Sequence, residues 1–132
     1  MTTTPDDHVA PAIAAALDVM HRHLVALNAQ DQAGLATTLH FPHHRLSQGR
    51  LQTWTAPDTY FADFKQRAEA NWARSRWDFL NVVAADPVKV HLDVGFTRLR
   101  GDGSAIASYR SLWVIACLDG RWAAQLRSSF AA

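Results

Sequence analysis

Near the start of the chain, apolar residues recur at steps of three and four: Val9, Ile13, Ala16, Leu17, Met20, Leu24 and Leu27. That spacing lays one stripe along a turn of 3.6 residues, so the chain is expected to open with an amphipathic helix. Thr4, Pro5 and Asp7 offer a cap, a first-turn proline and a third-position acid. Pro11 lacks an N–H and argues that regular helix starts only there. His21 and His23 fall mostly off the stripe, and both are expected in solvent. Asp31 can cap a second, short helix carrying Leu35 and Leu39, which Pro42 ends. "HHRLSQGRLQTW" reads as two short strands around a turn near Gln48-Gly49. "TAPDTYFADFKQRAEANWARS" reads as a third helix, capped by Thr55 or Asp58. Tyr60, Phe61, Phe64, Ala68 and Trp72 form its apolar side.

The period then changes to two. In "WDFLNVVAADPVKVHLDVGFTRL", Val88, Val90, Leu92, Val94 and Phe96 alternate with Lys89, His91 and Asp93. This is a strand with one buried face. Arg100-Gly101-Asp102-Gly103 and Asp119-Gly120 are hairpin turns. They frame the long strand "SAIASYRSLWVIACL" and a last strand, "RWAAQLRSSF", in which Trp122, Leu126 and Phe130 alternate. Helices first and strands last imply an α+β domain, with residues 1–132 forming a single unit. A twisted antiparallel sheet can wrap around an N-terminal helical layer and leave a cone-shaped hollow. Ligand sites favour such concave, mostly apolar places.

Composition narrows the classes of function. The 132 residues are 48% hydrophobic with a formal charge of +1, which fits a globular domain with a real core. Basic and acidic residues are interspersed, and no basic stripe for nucleic acid is present. The single Cys117 excludes an internal disulfide and a cysteine zinc site, and a buried inert thiol is expected. No apolar run is long enough to span a membrane. The first residues lack a basic region and carry Asp6, Asp7 and Asp18. The expectation is a soluble, cytoplasmic protein.

The opening helix, the strand pair in "LHFPHHRLSQGRLQTW", the helix "PDTYFADFKQRAEANW" and the hairpin "SYRSLWVIACLDGRWAAQLRSSF" together resemble the nuclear transport factor 2-like superfamily, over nearly the whole chain. The turn "DGRW" before an alternating final strand is the most typical piece. The resemblance implies the cystatin-like α+β cone, a pocket, and often a homodimer through the outer sheet face. Ketosteroid isomerases, SnoaL-like polyketide cyclases, scytalone dehydratase-like enzymes, oxygenase small subunits and many proteins of no known activity share it. Function must therefore be argued from the site.

In ketosteroid isomerases the base lies on the first strand after the second helix. Here residues 32–57 contain no Asp or Glu, and Ser47 or Gln48 stands near that place. Proton abstraction in that form is not expected. His91 and Asp93 share a strand face opposite the apolar positions and should point away from the core. His40, His43 and His44 crowd one segment, but Pro42 forbids the helix that would bring them together. On a strand, His43 and His44 face opposite ways, so no metal site is expected. No feature of the sequence calls for a cofactor.

Alternation splits this segment into His44 with Leu46, and His43 with Arg45 and Ser47. If the second set faces the hollow, His43 could act as acid or base near neutral pH. Arg45 could then hold a carboxylate or enolate oxygen, and Tyr109 could donate to a ligand oxygen. Trp54, Phe64, Trp77, Trp113 and Arg127 are candidate ligand-binding residues. The plainer alternatives are an Arg45 paired with an acid at the sheet edge, a solvated His43, and "RSSF" as structural closure. Three functions remain open: a SnoaL-like isomerase, cyclase or dehydratase acting on a small apolar oxygenated molecule; a non-catalytic ligand-binding dimer; and a protein-interaction domain.

Overall fold

A computed structural model of the chain describes residues 5–68 and 70–131. Helix α1 runs Pro5–Asn28 and α2 Gln32–Ala36, followed by strands β1 Leu39–Ser47 and β2 Arg50–Trp54. Helix α3, Pro57–Arg67, precedes four strands: β3 Arg74–Asp86, β4 Lys89–Leu99, β5 Ala105–Leu118 and β6 Arg121–Ser129. The strands form one sheet in the order β2-β1-β6-β5-β4-β3. All neighbours are antiparallel except β1 and β6, which run parallel. This is the expected α+β layering, with one parallel pair in the sheet.

The cap expected of Thr4 and the side chain of Asp7 lie outside the described residues. Helix α1 starts earlier than Pro11 suggested and passes through it. The missing N–H leaves one carbonyl unmatched near an exposed end, where that costs little. Asp31 caps α2 as expected, its Oδ1 accepting from the Gly34 N–H at 3.0 Å. Leu39 belongs to β1 and Pro42 lies within that strand, where the pairing with β6 shifts register. Ala56 rather than Thr55 or Asp58 stands at the N-cap of α3, with Pro57 in the first turn.

The stretch 77–99 folds as a hairpin rather than one strand. β3 and β4 turn at Pro87 and Val88, where Asp86 Oδ1 accepts from the Val88 N–H at 2.8 Å. Gln48-Gly49 and Asp119-Gly120 take the left-handed backbone that two-residue hairpins require, with φ of 54°, 74°, 53° and 77°.

Helix α1 lies along β3. Its C-terminal end is fastened there: Asn28 Nδ2 donates to the Ser75 carbonyl at 2.9 Å, and the Ser75 N–H donates to Asn28 Oδ1 at 2.8 Å. Ala12, Ala16, Val19 and Met20 of α1 belong to one buried cluster with Val90, Leu92, Val94, Ile115 and Ala124 of the sheet. On the opposite face, Arg110 pairs with Asp93 at 2.6 Å and holds its carboxyl below the usual carboxylate range. Asp93 therefore faces away from the helices, as its alternation with Leu92 and Val94 required. Cys117 is free and half-buried, more open than expected.

Candidate functional site

Beyond the apolar cluster, the inner face of the sheet changes character. Alternation on β1 turns His43, Arg45 and Ser47 inward, all buried, while Leu46 faces out. Arg45 lies opposite Arg127 of β6, Arg127 opposite Trp113 of β5, and Ser129 opposite Ser111. On β4 and β3 the inward row continues with Phe96 opposite Trp77 and Arg98 opposite Ser75. Helix α1 adds His23 and Leu27, and α3 adds Tyr60, Phe64 and Arg67, from positions that share a helix face at steps of three and four. All of these inward residues except His43 and Ser47, fourteen in number, line a cleft whose cavity measures about 40 Å³, opening into a mouth that brings the atom-free space to about 480 Å³.

Four arginines from four elements converge here, and no described Asp or Glu lines the cleft. Like charges set opposite each other on neighbouring strands repel, as Arg45 and Arg127 do. Burial, then Arg67 and Arg127, push the Arg45 guanidinium down to about 9. Burial, then Arg127, push Arg67 down to about 10, although the neighbouring Tyr60 hydroxyl favours its cation. Both stay charged at neutral pH. Arg45 Nη2 donates to the Ala131 carbonyl at 2.9 Å, and Ser47 Oγ donates to the same oxygen. Aromatic rings hold the other guanidiniums. Arg127 sits 4.7 Å from the Trp113 ring centre and 5.4 Å from that of Tyr60. Arg67 lies 5.9 Å from Tyr60 and 5.6 Å from Phe64. The Nε and Nη1 of Arg67 are buried with no hydrogen-bond partner.

His23 lies in the wall, 2% exposed, with its ring edge-on to Trp113 at 5.1 Å. This corrects the expectation of a solvent-exposed side chain. Position 23 is three residues after Met20, seven after Ala16 and four before Leu27, so it does fall on the stripe. Its Nδ1 meets Thr38 Oγ1 at 2.8 Å, and that hydroxyl already donates to the Leu35 carbonyl at 2.7 Å. The imidazole must therefore donate from Nδ1. Burial first and Arg127 second push its pKa down to about 3, so the ring is neutral.

The candidates read from the sequence divide in two. Arg45, Phe64, Trp77, Trp113 and Arg127 line the cleft. His43, Trp54 and Tyr109 are not among its lining residues. His43 packs edge-on to Tyr60 at 5.5 Å, and its Nδ1 donates to the Ala124 carbonyl at 3.1 Å. Burial, then Arg127, push its pKa down to about 2, which removes it from acid–base work near neutral pH. Trp54 stands edge-on to Tyr60 at 5.0 Å, with the Arg67 guanidinium 5.5 Å from its ring centre, and donates to Asp63 Oδ2 at 2.6 Å. Tyr109 leans on Phe96 at 5.6 Å, with Arg98 5.2 Å from its ring centre. The three histidines of the 40–44 segment do not converge. His40 Nε2 donates to the Ala116 carbonyl at 2.9 Å, and His44 turns outward to Thr53 Oγ1 at 2.8 Å. Among the described residues no group of three or more His, Cys, Asp or Glu could hold a metal ion. No described helix is long and apolar enough to cross a membrane.

Residues missed from the sequence are His23, Arg67 and Arg98. Arg67 continues the Tyr60–Phe64 face by one turn, and Arg98 continues the alternation 90, 92, 94, 96.

No family model and no curated protein sequence matches this chain. Solved structures do. A Nostoc punctiforme protein of unknown function with a cystatin-like fold superposes with a TM-score of 0.74 at 12% identity, over 100% of this chain and 96% of that one. A nuclear transport factor 2-like protein from Cytophaga hutchinsonii gives 0.67 at 19% identity, over 88% and 94%. A Catenulispora acidiphila protein, solved in complex with S-DNPA, gives 0.70 at 19%, over 92% and 94%.

Proposed function

We propose that this chain, which has the nuclear transport factor 2-like, cystatin-like fold, uses the open half of its sheet to bind a small apolar oxygenated molecule. The observation that carries the reading is a cleft walled by Tyr60, Phe64, Trp77, Phe96 and Trp113, into which a few convergent polar groups project. Binding sites for small molecules are built this way. The complex of a protein of the same fold with S-DNPA supports it. The outer face carries Leu46, Leu112 and Leu126, 39–47% exposed, which supports a homodimer through the sheet.

The test is a thermal-shift screen with neutral and ionised aromatic compounds, on the native chain and on Ser111→Phe, which fills the cleft. A ligand at a hundred times its dissociation constant adds about 2.7 kcal/mol to stability. The expected result is a shift for the native chain that is lost in the filled variant. An equal shift in both would place the ligand elsewhere.

One observation favours a second, catalytic reading. Guanidiniums around an apolar hollow would stabilise an enolate oxygen, as a SnoaL-like isomerase, cyclase or dehydratase requires. Its base would not be His43, for the reason given above. Turnover of an enolisable aryl ketone that falls by a hundredfold or more in Arg127→Met would support it.

A further inference from the structure

We infer that the ligand of this cleft is a phenol, whose hydroxyl donates to Nε2 of His23 while its ring lies against Trp77 and Trp113. The inference rests on the reading of the cleft as a ligand site and names both the class of ligand and the residue that selects it.

Two imidazoles are buried in this part of the molecule, His23 and His43. A neutral imidazole has one donor nitrogen and one acceptor, and the bond made at one fixes the state of the other. Both rings give their hydrogen to the protein: Nδ1 of His43 to the Ala124 carbonyl, and Nδ1 of His23 to Thr38 Oγ1. Thr38 cannot reverse that bond, because its own hydroxyl hydrogen goes to the Leu35 carbonyl. In each ring Nε2 is left as a bare acceptor with no hydrogen-bond partner among the described residues. The two differ in what they face. Nε2 of His43 is sealed among packed side chains. His23 lines the cleft, whereas Thr38 does not. The nitrogens of an imidazole point to opposite sides of the ring, so with Nδ1 turned to Thr38, Nε2 turns to the cleft. The indoles beside it have their donors engaged elsewhere. Trp77 Nε1 donates to the Met20 carbonyl at 2.9 Å, and Trp113 Nε1 to Ser111 Oγ at 2.8 Å. Burial and the charge of Arg127 keep a second proton off the ring.

An acceptor placed in this way discriminates. A ligand that displaces water and offers only acceptors, such as a ketone or an ester, sets lone pair against lone pair and strands Nε2 in an apolar wall. A hydrocarbon strands it equally, and a stranded buried acceptor costs more than a made bond gains. A hydroxyl supplies the missing hydrogen and is also the oxygenated group that the cleft is proposed to accept. The surroundings ask for a flat body behind it. The His23 ring is edge-on to Trp113 at 5.1 Å and within 22° of parallel to Trp77 at 6.4 Å. A group that reaches Nε2 therefore brings its skeleton against two indoles, where an aromatic ring packs well.

Titration of the full, isotope-labelled chain with para-cresol and para-fluorotoluene, followed by NMR, tests this. The two compounds share shape, and fluorine replaces the hydroxyl with no hydrogen to give. The phenol is expected to bind at least about fivefold tighter, the factor that one net hydrogen bond supplies. The Nε2 resonance of His23 should stand at the position of an unprotonated nitrogen in the free chain. It should move upfield with para-cresol and not with para-fluorotoluene. His23→Phe keeps a ring and removes the acceptor, and should equalise the two compounds by weakening the phenol alone. Equal binding of both by the native chain would overturn the inference and leave the ligand site standing. A phenol preference that persists in His23→Phe would overturn the assignment to this residue. So would a His23 Nε2 resonance unmoved by bound phenol, a measurement on the native chain that does not depend on the variant folding. Failure of both compounds to bind the native chain would remove the ligand site and the inference together.

Discussion

The inward positions of β4 are Val90, Leu92 and Val94 along one half and Phe96 and Arg98 along the other. β5 repeats the contrast, with Ile115 in one half and Trp113 and Ser111 in the other, and β6 repeats it again, with Ala124 against Arg127 and Ser129. Both halves lie on the same face of the same sheet; on β4 and β5 one two-residue alternation runs through both, and on β6 a bulge at Gln125 separates them. One half closes on the alanines and valine of α1. The other keeps a cleft open, because guanidiniums and hydroxyls gain nothing from being pressed against hydrocarbon. Alternation decides which side chains face in, and their chemistry decides whether that half becomes a core or a site.

Acid should separate the two halves most strongly. The pKa values of His23 and His43 fall from 6.5 to about 3 and about 2 on folding. Between those values and 6.5 the unfolded chain binds more protons than the folded one. Stability is therefore complete above pH 6.5 and lost as pH falls below it, by about 1.4 kcal/mol per pH unit for each histidine. From pH 6.5 to roughly 4.5 the pair should cost about 5 kcal/mol, read as a fall in urea midpoint. His43→Leu should halve the slope, and an unchanged slope would show that the buried ring is not the source.

Truncation within the closed half comes next. Leu92→Ala should cost about 2–5 kcal/mol in chemical denaturation, since the side chain is fully buried and its neighbours cannot follow it. A much smaller loss would mean that the two halves are packed alike. In the open half the sign should reverse. Arg67→Met removes two unmatched buried donors and a repelled charge, and should stabilise the unliganded chain by about 1–2 kcal/mol. A lowered melting temperature would show that Arg67 holds the fold rather than a ligand. The smallest effect on the fold belongs to the outer face. Leu112→Asp should turn the proposed dimer into a monomer in analytical sedimentation and leave the unfolding midpoint nearly unchanged; a native chain that already sediments as a monomer would overturn the dimer.

Much of this division was legible in the residues. The Asp119-Gly120 turn, the alternation from Val90 to Phe96 and the stripe on α1 placed the layers and showed which strand faces point inward. On β1 the pattern offered two faces, and only the packing of α3 over the sheet put Arg45 within the cleft and His43 outside it. Arg67 and Arg98 escaped because a charged residue at the end of an apolar run reads as the place where burial stops. Here the run continues into a buried site. The hairpin at Pro87 was hidden because apolar residues continue on both sides of a two-residue turn.

Of the five tryptophans in the chain, Trp77 and Trp113 line the cleft. Arg127 rests 4.7 Å from the Trp113 ring centre, a cation against a π-face. An occupant that draws the guanidinium toward itself changes the electrostatic surroundings of that indole. The molecule thus carries its own optical reporter. A shift in the emission of Trp113, isolated by comparison with Trp113→Phe, would follow the filling of the cleft without any added dye.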